Sequence, residues 1–149
     1  MVIVVGYVPK PEGRAALDRA IEEADLRGGR LVVVNASRGD AYVDAGYAGV
    51  QELELVKSRL AEAGVEHEVR QLVRGHEPAE EVVELAEELD AELIVIGMRH
   101  RTAVGKSLLG STAQRILLGA RCPVLAVKAV SRTNRDRAEE VGGTRPGAR

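Results

Sequence analysis

The sequence predicts an α/β domain: one open, five-stranded parallel sheet with helices on both faces. Three observations carry that prediction. Five short aliphatic runs alternate with four segments whose apolar residues recur at helical spacing. Four of the five runs are nearly continuous in Val, Ile and Leu, the pattern of strands buried on both faces of a parallel sheet. Val, Ile and Leu together account for 41 of the 149 residues, above the roughly 20 % below which chains stay disordered.

The first run, Val2 to Val5, follows Met1 directly, and no signal-peptide pattern is expected there. Leu17, Ala20, Ile21 and Ala24 then share one helical face, and Gly28 is placed to stop that helix. The second strand is Leu31 to Val34. Leu53, Val56 and Leu60 form the next stripe, ending at Gly64. The third strand, Glu68 to Val73, alternates with polar residues and reads as a sheet edge. Pro78 opens a helix carrying Val82, Ala86 and Leu89, whose glutamates (Glu80, Glu81, Glu84, Glu87 and Glu88) make its solvated side. Glu92 to Gly97 is the fourth strand. The last helix buries Ala113, Ile116, Leu117 and Ala120, with Ser111 as its expected N-cap, and Pro123 to Val127 is the fifth strand. This βαβαβαβαβ domain occupies residues 1–130. The remaining 131–149 carry five Arg against three acids with no apolar periodicity, the composition of a disordered basic tail.

Composition excludes several functions. Tyr7, Tyr42 and Tyr47 are the only aromatics, too few for the stacking platforms of single-strand nucleic-acid readers. A net charge of −2 creates no global field for a polyanion, so no nucleic-acid partner is expected. No apolar run approaches the ~20 residues that span a membrane. One cysteine, Cys122, rules out an internal disulfide and fits a reducing cytoplasm. The three histidines and that cysteine lack metal-ligand spacing, so no metal site is expected.

Open α/β sheets bind ligands beyond the carboxyl ends of their strands, where the strand order reverses. With an order of 3-2-1-4-5 the crevice lies between the first and fourth strands. It is then lined by GYVPKPEG after the first and by GMRHRTAVGKSLLGST after the fourth. The second loop holds three glycines, Arg99, Arg101, Lys106 and a Ser-Thr pair, and runs into a helix N-terminus. Free backbone N–H groups and the helix dipole make such a terminus an anion site, and the cations can neutralise a phosphate. Gly105-Lys106-Ser107 does not end a P-loop, because the required earlier glycine is His100. The Rossmann fingerprint G-x-G-x-x-G is also absent after the first strand. Ser107 and Ser111 have no neighbouring general base, so no catalytic residue is assigned and the chain is not expected to be an enzyme.

The stretch GMRHRTAVGKSLLGSTAQRILLGARCPVLAV resembles the C-terminal half of universal stress protein domains. Nucleotide-binding members of that family carry G-x2-G-x9-G-[ST], matched here by Gly97, Gly110 and Ser111 at the right spacing. GRAALDRAI and CPVLAV also resemble family segments, and the resemblance covers residues 1 to about 130. It implies the 3-2-1-4-5 sheet, a cytoplasmic stress-response protein, a homodimer through the last strand, and ATP or AMP as ligand, with Mg²⁺ accompanying the nucleotide. Carried over, Gly97, Gly110, Ser111 and Thr112 form the phosphate cradle. Gly6 and Tyr7 flank the adenosine, and the Val34 backbone faces the adenine. Arg99 is added on its chemistry as a charge partner. Two positions depart from the pattern: its second glycine is His100, and the acid that ends the first strand is Val8. A second reading therefore stands beside nucleotide binding, a ligand-free homodimeric interaction module with protein partners not yet known. A third, a nucleotide-hydrolysing enzyme, lacks acidic metal ligands near the phosphates.

Overall fold

The computed structural model describes residues 1–39, 46–99 and 109–129. His100, Arg101, Lys106, Ser107, Tyr42 and the 131–149 tail lie outside them. In chain order the elements are β1 (Val2–Gly6), α1 (Pro11–Arg27), β2 (Arg30–Ser37), α2 (Val50–Ala63), β3 (His67–Val73), α3 (Pro78–Glu88), β4 (Leu93–Met98), α4 (Ser111–Gly119) and β5 (Val124–Lys128). All pairings are parallel and the order is β3-β2-β1-β4-β5, as expected.

Strand side chains alternate between the two faces, so each central strand feeds two cores. Ile3, Val5, Leu31, Val33, Leu93 and Val95 pack under α1 and α2 against Ala16, Leu17, Ala20, Val56 and Leu60. Val4, Val32, Val34, Ile94 and Ile96 face α3 and α4, meeting Val82, Leu85, Ala86, Ala113 and Ile116. The continuous Val/Ile runs are thus required by a sheet covered twice.

Helix ends follow local chemistry. Pro11 and Pro78 open α1 and α3 at positions where an N–H would be orphaned anyway. Gly28 and Gly64 close α1 and α2 in the left-handed conformation. α3 ends without glycine: Asp90 takes φ 52°, while its N–H and that of Ala91 bond Glu87 and Ala86 carbonyls.

Two expectations are corrected. β5 is only half-buried along its length, because it is an edge strand with a nine-residue helix beside it. Leu117 does not join the α4 core stripe; it is 40 % exposed and Leu118 is 80 % exposed, leaving Ala113 and Ile116 as the inward residues.

One carboxylate of α3 is not on the solvated side. Glu81 is buried and accepts from Arg74 through Nε and Nη2 at 2.9 and 2.7 Å, with His76 Nδ1 at 3.3 Å. The Arg74 hydrogen bonds hold its carboxyl below the usual range, against the opposing effect of burial. A depressed acid contributes stability above its unfolded pKa, and that contribution is lost as pH falls through the folded value. Arg74→Met is expected to cost about 1–2 kcal/mol at neutral pH, moderated because Arg74 is half in water. In urea titrations the gap between variant and wild type should narrow as pH drops below ~4.5; a gap independent of pH would locate the loss in packing.

Candidate functional site

β1 has β2 on one side and β4 on the other, and the connections after β1 and β4 leave toward opposite faces of the sheet, opening a crevice between them. A cleft of about 320 Å³ lies there. Its walls are the end of β1 with the first turn of α1, the end of β2, the start of α3, and the β4–α4 connection with the first turn of α4. All eight residues singled out from the sequence line it: Gly6, Tyr7, Val34, Gly97, Arg99, Gly110, Ser111 and Thr112. Lys10 and Glu12, within the GYVPKPEG loop expected at the crevice, line it too, and so do Ala36, Pro78, Val82 and Ile96, which were not foreseen.

The α4 terminus supplies donors. Gly110, in extended backbone, is the N-cap, and the first intrahelical bond runs from Gln114 N–H to its carbonyl at 2.9 Å. Ser111 is therefore the first helical residue and not the cap that its sequence position suggests. No side chain caps this end, so the N–H groups of Ser111, Thr112 and Ala113 have no intrahelical acceptor, and all three residues face the cleft. Three free donors with a helix dipole behind them favour an anion. Arg99 stands beside them, its Nε 3.9 Å from where a Cβ on Gly110 would lie.

The two motif glycines do different things. Among the described residues only Arg99 Nε, at 3.9 Å, comes near a Cβ at Gly110, so close approach of a ligand is available there. A Cβ on Gly97 would lie 2.2 Å from the Glu12 carbonyl oxygen, so this position is glycine because the α1 backbone passes against it. Gly13 is required for the same kind of reason, 1.8 Å from the Val8 oxygen.

Tyr7 and Val34 also have structural roles beside their place on the cleft wall. The Tyr7 ring packs into the α1–α2 core, where its hydroxyl donates to Glu52, which Arg14 also contacts at 3.2 Å. Burial first, then the Glu52 carboxylate, push the phenol pKa up, so it stays a donor. The Val34 carbonyl accepts from the Tyr7 N–H at 2.9 Å. In a parallel ladder alternate residues face the same neighbour, so the β2 backbone reaching past the end of β1 is that of Ala36.

The side chain of Asn35, fully buried, organises this end of the sheet. Its Nδ2 donates to the carbonyls of Tyr7 (2.9 Å) and Gly46 (2.7 Å), and its Oδ1 accepts from Ala48 N–H and Gln71 Nε2, both at 3.0 Å. Gln71 also donates to the Ala48 carbonyl at 2.7 Å. One amide thus ties β1 and β3 to the segment before α2, and Gly46 and Tyr7 are both cleft residues. The available signal was an Asn ending a run of three valines. At the α3–α4 side, Glu77 bridges Arg38 of the β2 loop (2.5 Å) and Arg115 of α4 (3.1 Å).

Among the described residues, no group of three or more His, Cys, Asp or Glu is placed to hold a metal ion. Cys122 lies half-buried at a second cleft of about 220 Å³, at the opposite end of the sheet, and burial raises its thiol pKa. No described helix is long and apolar enough to cross a membrane.

Comparison with known proteins places this geometry in context. Residues 1–128 match the sequence profile of the universal stress protein family. A universal stress protein of Mycolicibacterium smegmatis is 53 % identical over 127 residues, covering 85 % of this chain and 97 % of that protein. The structure of the universal stress protein from Archaeoglobus fulgidus in complex with dAMP superposes with a TM-score of 0.63 at 29 % identity, over 85 % of this chain and 96 % of that one. A universal stress protein in complex with cAMP gives a TM-score of 0.69 at 28 % identity, over 87 % and 98 %.

Proposed function

We propose a nucleotide-binding regulatory function from an established premise: the chain belongs to the universal stress protein family. The observation that carries the proposal is the cleft at the β1–β4 switch point, with three unpaired N–H groups of α4 and Arg99 at one end. A phosphate suits that end, and the apolar wall of Val82, Ile96 and Ile116 suits a base or sugar face. Two structural neighbours carry adenine nucleotides, dAMP and cAMP, on the same fold. The ligand is therefore an adenine nucleotide, with ATP among those to be tested. It acts as a regulatory ligand, not a substrate, shifting the protein between free and bound conformations according to its affinity for each. In the cell this is a cytoplasmic stress-response role. The chain pairs as a homodimer through β5, whose half-buried face with Leu117 and Leu118 leaves apolar surface exposed.

Thermal shift with ATP, AMP and cyclic AMP, each with and without Mg²⁺, tests the reading. A ligand at a hundredfold excess over Kd stabilises by about 2.7 kcal/mol. Gly110→Asp is the matched variant. Asp is a favoured N-cap and, among the described residues, only Arg99 Nε comes near the position, so the fold is kept while a negative charge enters the anion end. It should abolish the shift without lowering the unliganded Tm. A full shift in this variant would place the phosphates elsewhere. Wild type unmoved by millimolar nucleotide would favour the interaction module, to which the exposed apolar strip of β5 and α4 points.

A further inference from the structure

Glu12 is an acid in a cleft whose other features attract anions. It lies in the first turn of α1, half-buried, and lines the same cleft as Gly97, Arg99 and Gly110. Its position is fixed by close packing: a Cβ on Gly97 would meet the Glu12 carbonyl oxygen at 2.2 Å and the Glu12 Cβ at 2.9 Å. Among the described residues no cation pairs with its carboxylate, and Lys10 and Arg99 on the cleft wall have no acidic partner either. The described lining therefore carries two cationic residues and one acidic residue around whatever enters.

An acid near the start of a helix is favourable for the helix alone, which accounts for Glu at this position in α1. It does not account for the same residue lining the anion-binding cleft beside the first glycine of the phosphate loop. A carboxylate there opposes each added negative charge on a ligand. ATP brings about four negative charges at neutral pH and a cyclic monophosphate about one. We infer that Glu12 is a specificity-determining residue, which sets the charge this cleft accepts and selects adenine nucleotides with a single phosphate over triphosphates. The inference rests on the nucleotide-binding reading and narrows it to a ligand class.

Calorimetric titration of the full chain with cyclic AMP, AMP and ATP without Mg²⁺, and with MgATP as a separate arm, in wild type and in Glu12→Gln, tests it. Wild type should bind cyclic AMP or AMP at least about tenfold more tightly than ATP. Glu12→Gln keeps the shape of the side chain and should strengthen ATP binding by roughly tenfold while moving cyclic AMP by less than about twofold. The wild-type preference should also shrink as salt rises from about 0.05 to 0.5 M, because screening weakens the repulsion. Equal changes for all three ligands, or none, would overturn the inference and leave Glu12 as a helix-end charge. MgATP binding tighter than cyclic AMP in wild type and lost in Glu12→Gln would overturn it too, making Glu12 a metal ligand. Absence of binding by every nucleotide in wild type removes the nucleotide reading itself, an outcome separate from all of these.

Discussion

Asn35→Asp is expected to destabilise the protein by about 3–5 kcal/mol, lowering Tm by roughly 10 °C or more. The substitution is nearly isosteric, so the loss is electrostatic. The two donors that Nδ2 gives to the Tyr7 and Gly46 carbonyls become a carboxylate oxygen facing those same carbonyls, in a site with no exposure to water. Burial would also raise the new acid's pKa, and protonation would restore a donor. The deficit should therefore shrink as pH falls, as the Arg74→Met deficit does, although the buried Asp is shifted up and Glu81 is held down. Denaturant titrations at several pH values read both numbers. A deficit below about 1 kcal/mol would mean that water enters the network and solvates the charge. Because Tyr7 and Gly46 line the cleft, nucleotide affinity should fall along with stability.

Gly97→Ala and Gly110→Ala should behave oppositely although both belong to one motif. At Gly97 the added methyl meets the Glu12 carbonyl carbon and oxygen at 2.5 and 2.2 Å, and both atoms are backbone that no side-chain rotation can move. α1 must retreat from β4, at a cost of about 1–3 kcal/mol for overpacking. The retreat also shifts the cleft wall that carries Lys10 and Glu12, so nucleotide binding should weaken at least tenfold. At Gly110 the nearest atom among the described residues is the flexible Arg99 Nε at 3.9 Å, and alanine should leave both stability and binding close to wild type. Equal losses at the two positions would show that the motif is read by the ligand at both glycines.

The fold was legible because it is written in repeated patterns. Period-3.6 stripes and unbroken Val/Ile runs identify helices packed on both faces of a parallel sheet, and the polar alternation of Glu68–Val73 correctly marked β3 as an edge. β5 carries the same aliphatic signature as the central strands, yet it is an edge; composition records what a strand can bury and not what covers it. The lining of the cleft was legible too, since the loops after β1 and β4 border the crevice at the switch point. The roles inside the site were not. Tyr7 lies in the stretch read as cleft, but its ring turns into the α1–α2 core and finds Glu52, 45 residues away. Gly97 lines the cleft as the motif suggested, but its need for glycine comes from the α1 backbone packed against it, a long-range contact that no local pattern announces. Asn35 draws its partners from residues 7, 46, 48 and 71, and no local pattern encodes a convergence of that range.

The strand order also has a consequence for the birth of the chain. β1 is synthesised first and ends in the middle of the sheet. Its β2 side can close once residue 37 has emerged, but its other side waits for Leu93–Met98. At a translation rate of about 5–20 residues per second, that interval lasts on the order of 3–11 s. In it the nascent sheet is first β2-β1 and, once residue 73 has emerged, β3-β2-β1, with the apolar strand Val2–Gly6 as an open margin prone to pairing with a stranger. The crevice has only one wall in this period, so no nucleotide can shelter the intermediate. Any ligand that protects the finished molecule acts only after β4 has docked, and chaperones or speed must guard the half-made one.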